Sequence, residues 1–283
     1  MLVESLDGRL LFAIPKKGRL HEKCLTLLSG ADIKFRRPNR LDVCVAQNLN
    51  IALVFLPAAD IPSFVGKGNV DLGITGYDVI LESQMEGLVT EELRLGFGNC
   101  ALQVQVPEAG PIKSVEDLAG KRVVTSFDVL AGEYFKKVDD QAACALGLAD
   151  GIVDLVESGE TMRAAGLHAI DTVIATEAVL IKSNKAQSPE HDALIKVITK
   201  RIAGVIAAER YVVCQYNIHR DNFVAAEKIC PGRRAPTVSK LEEIDWLGVS
   251  VMVEKKKIAN VMDELAKVGA EDILVFNLDN CRV

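Results

Sequence analysis

Residues 154–166 carry the side chains best suited to binding a phosphorylated ligand. They read DLVESGETMRAAG, in which an aliphatic run leads into a Ser-Gly-Glu-Thr turn and then into a helical pattern. The start of a helix offers unpaired backbone N–H groups and the positive end of the helix dipole, and both attract anions. Gly159 allows close approach of the backbone, and Ser158 and Thr161 add hydroxyl donors.

Carboxylates flank this turn on both sides. Asp154 and Glu157 come just before it, where they could hold sugar hydroxyls or Mg²⁺, and Glu160 follows in the first helical turn. Taken alone, the same residues are also typical of an ordinary helix capped by Ser158 after a strand. The segment therefore predicts either a phosphate and sugar site or a plain helix cap.

A second candidate is residues 14–20, IPKKGRL, which lie between an aliphatic run and a helical pattern. Lys17 and Arg19 flank Gly18, and cations in a turn at a strand end are suited to binding a phosphate group. A solvated basic turn is the alternative interpretation.

A third candidate is the pair of segments 56–62 and 70–78, LPAADIP and VDLGITGYD. Thr75, Gly76 and Asp78 lie where a strand turns into a helix, and α/β folds bind ligands at the carboxyl ends of their strands. An ordinary connecting turn would have the same pattern.

The elements that would position these residues alternate between strand and helix. Aliphatic runs bounded by Gly, Pro or acidic residues indicate strands, and the helical patterns between them predict βαβ units with mostly parallel sheets. Two sheets fit better than one, with a crossing near residues 96–99 and a return near 179–183. The expected strands are 10–14, 52–56, 71–75, 102–106, 122–125 and 151–156, and the expected helices lie near 20–29, 61–65, 115–118, 129–135 and 161–167.

The last third of the chain has a different order. A long amphipathic helix is predicted over residues 191–209, because Ile195, Ile198, Ile202 and Val205 recur at intervals of three and four. Beyond a boundary near 205–210, the order βαββαβ is the split arrangement of small ligand-binding modules. The expected elements are strand 211–216, helix 222–229, strands 235–239 and 247–253, helix 258–268 and strand 273–277.

Composition argues against several classes of protein. With 33 basic and 39 acidic residues, the formal charge of -6 gives no general attraction to nucleic acid. Seven cysteines and four histidines are scattered singly, without the spacing of a disulfide framework or a zinc site. No membrane span or signal peptide is expected, so the predicted location is cytoplasmic, with no membrane partner. The sequence also lacks a P-loop, a G-x-G-x-x-G turn, a G-x-S-x-G elbow and an H-E-x-x-H pair.

Seven segments, in order along the whole chain, resemble the ATP phosphoribosyltransferase family of histidine biosynthesis. They are IPKKGRL, LPAADIP, DLGITGYDV, KRVVTSF, ALGLADGIVDLVESGETMRAAGL, PGRRAPTVSKL and NCRV, of which DLVESGETMRAAGL is highly specific. The resemblance implies an α/β catalytic part with two lobes like those of type II periplasmic binding proteins, followed by a ferredoxin-like, ACT-type regulatory domain. Residues 1–101 and 181–206 would form the first lobe, 102–180 the second lobe, and 207–283 a histidine-binding domain.

The same resemblance implies the reaction and its residues. ATP and 5-phosphoribosyl 1-pyrophosphate would give 1-(5-phosphoribosyl)-ATP and pyrophosphate, with Mg²⁺ held by the substrate phosphates and by Asp154 or Glu157. Histidine would inhibit a homohexamer by binding near Asn217 and Thr237. Catalysis would fall to Asp154 and Glu157, binding of phosphoribosyl pyrophosphate to Glu157, Ser158, Gly159, Glu160 and Thr161, and binding of ATP to Lys17, Gly18, Arg19, Thr75, Gly76 and Asp78.

One stretch departs from the family pattern. Only residues 136–142 separate the helix expected to end near Phe135 from Ala143, where the family has a longer stretch with a strand and a Gly-Ser-Val-Glu-like turn. Either residues are deleted from the second lobe or the sequence omits them. A true deletion would remove a strand near the cleft and put activity in doubt.

Two functions of other classes remain open. One is a two-lobed protein that binds a small molecule without catalysis, and the other is a regulatory sensor that depends on the C-terminal module. A pyrophosphate-release assay with both substrates separates these functions from the transferase.

Overall fold

The structure is a computed structural model that describes residues 6–37, 41–138, 143–144 and 149–282. The described chain divides into two compact units at Thr199, and Gly30–Asp32 belongs with the second unit. The first unit contains two sheets, and the second contains one.

A six-stranded sheet forms the first lobe of the first unit. Its elements are β1 (Leu10–Pro15), α1 (His21–Gly30), β2 (Val43–Val45), β3 (Ile51–Leu56), α2 (Ile61–Gly66), β4 (Leu72–Gly76), α3 (Tyr77–Glu82), β5 (Val89–Arg94) and β11 (Ala178–Ser183). The strand order is β2-β3-β1-β4-β11-β5. Because β3, β1 and β4 run in parallel, their carboxyl ends lie at one edge of the sheet. β1 and β4 are buried along almost their whole length, which fits the apolar sequence of β1 and the small or aliphatic residues of β4.

A five-stranded sheet forms the second lobe. Its elements are β6 (Cys100–Pro107), a 3₁₀ turn (Glu116–Leu118), β7 (Arg122–Thr125), α4 (Asp128–Val138), β8 (Ala143–Cys144), β9 (Gly151–Val156), α5 (Glu160–Ala164) and β10 (Leu167–Thr176). The strand order is β10-β6-β9-β7-β8. β7 is parallel to β8 and β9, so these strands also share a carboxyl edge.

The prediction of mostly parallel sheets is wrong. Five of the nine pairs between the named strands of these two sheets are antiparallel. Each antiparallel pair includes at least one of β2, β5, β6, β10 and β11, and of these five strands only β6 was predicted. β5 is largely polar and half exposed, so it lacks the aliphatic run that indicates a buried strand. β10 contains apolar residues, but polar ones interrupt them and only its last residue is buried.

The helix predicted over residues 161–167 ends earlier than expected. α5 stops at Ala164, and Gly166 adopts a left-handed conformation with φ of 68°, which ends the helix before β10 begins.

The lobe boundaries expected after residues 101 and 180 fall inside β6 and β11. β6 pairs with the second sheet from its first residue, and β11 pairs with the first sheet from Ala178. The crossings therefore lie at residues 95–99 and at Glu177.

The segment that departs from the family pattern is only partly described. α4 runs to Val138, residues 139–142 lie outside the described part of the chain, and β8 pairs with the start of β7. No helix among the described residues is long and apolar enough to cross a bilayer.

The second unit has the predicted βαββαβ order. Its elements, after the long helix α6 (Pro189–Arg210), are β12 (Tyr211–His219), α7 (Phe223–Ile229), β13 (Thr237–Lys240), β14 (Trp246–Glu254), α8 (Ile258–Lys267) and β15 (Ala270–Asn277). The sheet is antiparallel with order β13-β14-β12-β15. Alternate residues of β12, from Val212 to Ile218, pack against the helices, so Gln215 and Asn217 lie on the opposite face.

Candidate functional site

The loop 157–161 turns sharply between β9 and α5. Gly159 has φ of 74°, a left-handed conformation that favours glycine. A Cβ atom at this position would lie 2.7 Å from Nη1 of Arg163, so a larger residue would displace the guanidinium. The Nη2 group of Arg163 donates to the Ser158 carbonyl at 3.1 Å and closes the turn.

Backbone donors at this turn are largely unused. The Glu160 N–H donates to Ser158 Oγ at 3.4 Å, which is long for a hydrogen bond. Within the described residues, the N–H groups of Thr161 and Met162 have no hydrogen-bond partner. The alternative of a plain cap by Ser158 therefore accounts for one long hydrogen bond and leaves two N–H donors unpaired, as an anion site requires.

The loop borders a cavity of about 440 Å³, called here the loop cavity. Asp154, Glu157 and Glu160 contribute three carboxylates to its lining, and none of the described lining residues is a lysine or arginine. A bound pyrophosphate would be repelled there unless positive charge accompanied it. Arg163 lies beside the loop, and exposed Asp154 and Glu157 fit a Mg²⁺ ion that is also held by substrate phosphates. Among the described residues, no group of three or more His, Cys, Asp or Glu could hold a metal without such help.

The loop 16–19 extends from the carboxyl end of β1. Lys17 and Arg19 are exposed, and Gly18 has φ of 90°, which again favours glycine. Lys16 forms a 2.7 Å ion pair with Asp42, and Arg19 Nη1 donates to the Gly98 carbonyl at 3.3 Å. Arg19 thus links the first lobe to the crossing between the sheets.

Thr75, Gly76 and Asp78 were expected to face the cleft, but the structure buries all three. The exposed fractions of Thr75 and Asp78 are 0% and 1%. Thr75 Oγ1 donates to the Ala58 carbonyl at 3.1 Å, and Asp78 Oδ1 accepts from Thr176 Oγ1 at 2.8 Å. Their polar atoms are used inside the protein because the chain turns them inward at the end of β4.

Cys100 marks the place where the predicted segments meet. Burial raises the pKa of its thiol, Arg19 opposes that shift, and the negative charges of Asp78 and Glu157 add to it. These three groups come from the 16–19 loop, from α3 and from the 157–161 loop. The structure therefore brings the candidate segments of both lobes to one place at the crossing, with Arg19 and Glu157 exposed.

Asn217 and Thr237 line a second cavity, of about 240 Å³, called here the sheet cavity. It opens on the face of the C-terminal sheet away from the helices. Asn217 Nδ2 donates to Asp272 Oδ2 at 2.9 Å. The two predicted residues thus share one cavity, which is also lined by polar residues that the sequence interpretation missed, namely Gln215, Ser239, Ser250 and Asp272.

The residues that were missed differ in whether the sequence pattern could have indicated them. Period-two alternation along β12 places Gln215 on the same face as Asn217, so the sequence carried a signal for Gln215. Asp272 carried no such signal, because it stands at a left-handed position with φ of 48° beside an irregularity in the β12–β15 pairing. Beside Thr237, another cavity of about 310 Å³ includes Arg233 and Arg234.

Comparison with known proteins identifies family models and relatives that all carry the same description, ATP phosphoribosyltransferase or its C-terminal domain. A family model described as ATP phosphoribosyltransferase matches residues 57–204, and one described as HisG, C-terminal domain, matches residues 208–280. The ATP phosphoribosyltransferase of Yarrowia lipolytica is 56% identical over 299 aligned positions, covering 100% of this chain and 99% of the relative. That of Saccharomyces cerevisiae is 51% identical with the same coverage. Both alignments are longer than the 283 residues of this chain, so the chain lacks residues that these relatives have.

A solved structure shows the same fold. The ATP phosphoribosyl transferase (HisG:HisZ) complex from Thermotoga maritima contains a chain that matches with a TM-score of 0.57 and 22% identity. The match covers 68% of this chain and 97% of that one. The expected two-lobed α/β architecture, with a further C-terminal sheet domain, is confirmed.

Proposed function

This chain belongs to the ATP phosphoribosyltransferase family, which carries out the first step of histidine biosynthesis, and we propose that its 157–161 loop binds phosphoribosyl pyrophosphate. The observation that carries this proposal is the pair of unpaired N–H groups at Thr161 and Met162 beside a cavity lined by carboxylates. The N–H groups bind phosphate oxygens, and the carboxylates of Asp154 and Glu157 bind the ribose hydroxyls. ATP lies against Lys17 and Arg19, two exposed cations of the 16–19 loop.

The reaction needs no nucleophile from the protein. Adenine N1 of ATP attacks C1 of the ribosyl ring while the bond from C1 to pyrophosphate breaks. Mg²⁺ bound to the pyrophosphate would neutralise its charge and make it a better leaving group. The loop N–H groups hold the departing oxygens, and Asp154 and Glu157 stabilise the positive charge that develops on the sugar.

Thr75 and Asp78 support this site from inside the first lobe. Because both are buried, we assign them to holding the Ala58 carbonyl and Thr176 in place instead of to direct contact with ATP. Gly76 is buried between them, and a Cβ atom there would clash with Oδ1 of Asp78. A larger residue at position 76 would therefore disturb the Asp78 carboxylate.

Regulation by histidine is assigned to the C-terminal domain. In the sheet cavity, Asp272 pairs with the amino group of the ligand, and Asn217 and Thr237 bind its remaining polar atoms. Inhibition from this domain requires two global states for which histidine has different affinity, and a symmetric hexamer would supply them. The enzyme is expected to work in the cytoplasm.

The transferase function is tested by direct detection of the product. Purified protein with ATP and phosphoribosyl pyrophosphate is expected to release pyrophosphate and form 1-(5-phosphoribosyl)-ATP, and EDTA should stop the reaction until Mg²⁺ is restored. A binding protein without catalysis would bind both compounds and release nothing. Product formation that is indifferent to EDTA would remove Mg²⁺ from the proposal and leave the transferase assignment intact.

A further inference from the structure

Helix α3 of the first lobe carries a carboxylate near each end, and both carboxylates bind the second lobe. Asp78 Oδ1 accepts from Thr176 Oγ1 of β10 at 2.8 Å, and the Asp78 N–H donates to the same hydroxyl at 2.9 Å. Glu82 accepts from the N–H groups of Val129 and Leu130 in α4, at 2.9 and 3.0 Å. α3 continues directly from β4, so it connects the first sheet to two elements of the second lobe.

Helix α4 depends on Glu82 for the hydrogen bonds at its start. Phe127 precedes the helix and has no side-chain acceptor, and Thr125 Oγ1 is engaged with the Phe127 N–H instead. Glu82 stands 47 residues before Val129 and uses both of its oxygens, one for each N–H group. A carboxylate at this point also interacts favourably with the helix dipole. A side chain of the first lobe, Glu82, therefore caps helix α4 of the second lobe.

Both ends of this connection lie at the strand edges that carry the ligand loops. α4 follows β7, which is parallel to and paired with β9, and β9 continues into the 157–161 loop. α3 follows β4, which is parallel to and paired with β1, and β1 continues into the 16–19 loop. The spacing between the two loops consequently depends on the contact between α3 and α4.

We propose that Glu82 is a positioning residue for phosphoribosyl transfer. By capping α4 from the opposite lobe, Glu82 fixes the position of the sheet edge that carries the 157–161 loop, which binds phosphoribosyl pyrophosphate. That position is fixed relative to the edge that carries the 16–19 loop, which binds ATP. Glu82 is absent from the lining of the loop cavity, so it acts on the reaction through these two edges. Adenine N1 and C1 must approach to roughly 3–3.5 Å to react, and an error of about 1 Å can cost a hundredfold in rate. Loosening the contact therefore lowers kcat while each lobe still binds its own substrate.

The test compares Glu82→Ala and Glu82→Gln with a matched control, Glu86→Ala, which removes an exposed glutamate four residues further on. Glu82→Ala should lower kcat by roughly tenfold to a hundredfold, and Glu82→Gln, which retains one acceptor oxygen, should lower it less. The Kd of ATP and that of phosphoribosyl pyrophosphate, each measured alone by calorimetry, should stay at the wild-type values in both variants. Glu86→Ala should match the wild type in every measurement.

Hydrogen–deuterium exchange checks the structural step independently. The N–H groups of Val129 and Leu130 should exchange faster in Glu82→Ala while the 157–161 loop is unchanged. An unchanged kcat together with a lower Tm would reduce Glu82 to a stabilising cap and overturn the proposal. A loss of affinity for one substrate at constant kcat would also overturn it. If Glu82→Ala does not fold, the kcat of Glu82→Gln decides the question.

Discussion

The two proposed ligand sites of this enzyme are built in different ways. The loop cavity takes most of its lining from one continuous segment, residues 154–162, in which the N–H groups of Thr161 and Met162 are left without partners. The sheet cavity takes its lining from four strands, and its most polar residues, Asn217 and Asp272, already bind each other. In the loop cavity, hydrogen-bond donors are free for a ligand. In the sheet cavity, Asn217 and Asp272 are already hydrogen-bonded to each other without a ligand.

This difference matches the tasks assigned to the two sites. Free donors aimed at a leaving pyrophosphate cost little reorganisation when charge develops in the transition state. At the sheet cavity, a ligand must replace the bond between Asn217 and Asp272, so a molecule that cannot restore both partners is rejected. The proposed catalytic site is therefore suited to a polyanion that brings neutralising Mg²⁺ with it, and the proposed regulatory site to selective binding of one amino acid.

The largest effect is expected for Gly159→Val in the loop cavity. Valine is strained at φ of 74°, and its Cβ would meet Arg163 and block approach of a phosphate to the backbone. The value of kcat/KM for phosphoribosyl pyrophosphate should fall by about a hundredfold or more, as measured by steady-state kinetics. Histidine affinity, measured by calorimetry, should not change.

Gly120→Val is the matched control for backbone strain. Gly120 also has positive φ, of 67°, but it precedes β7 at the opposite edge of the second sheet, and its Cβ would meet no atom of the described residues within 4 Å. This variant should lose a similar amount of stability and retain its kinetics. Equal loss of activity in both variants would mean that strain alone, and not the loop, causes the effect.

The contrast between the sites also explains what the sequence could predict. The local structure around residues 157–161 was predictable because a strand, a glycine turn and a helix start follow one another without interruption, whereas the binding role of these residues stays a prediction. Thr75 and Asp78 were placed correctly at the end of a strand, but a strand end does not reveal which side chains turn inward. Glu82 was missed because its partners lie 47 residues further along the chain, where only the folded structure brings them together.

A smaller effect, on histidine affinity, is expected for Asp272→Asn in the sheet cavity. Asparagine tolerates the left-handed backbone at φ of 48° and keeps the shape of the side chain, so the change removes mainly the charge. Loss of a hydrogen bond to a charged group costs about 1.5–3 kcal/mol, which corresponds to a roughly tenfold to hundredfold weaker histidine affinity. Calorimetry gives the affinity, with the exposed neighbour Glu271→Gln as control. Equal affinity in Asp272→Asn and the wild type would remove Asp272 from the histidine site.

The smallest effect is expected for Thr237→Val, which removes one hydroxyl and keeps the shape of the side chain. Thr237 is exposed on β13 and pairs with Ser250 in the lining of the sheet cavity, so the backbone pairing should survive the change. A neutral hydrogen bond contributes about 0.5–1.5 kcal/mol, so the concentration of histidine for half inhibition should rise roughly twofold to tenfold. The kinetics without histidine should equal those of the wild type, because the substitution lies outside the loop cavity. Thr90→Val, the same chemical change at an exposed position in the first lobe, should alter neither quantity. A Thr237→Val enzyme that is inhibited as strongly as the wild type would remove Thr237 from the site, and a lower kcat without histidine would show that β13 affects catalysis even when no regulatory ligand is bound.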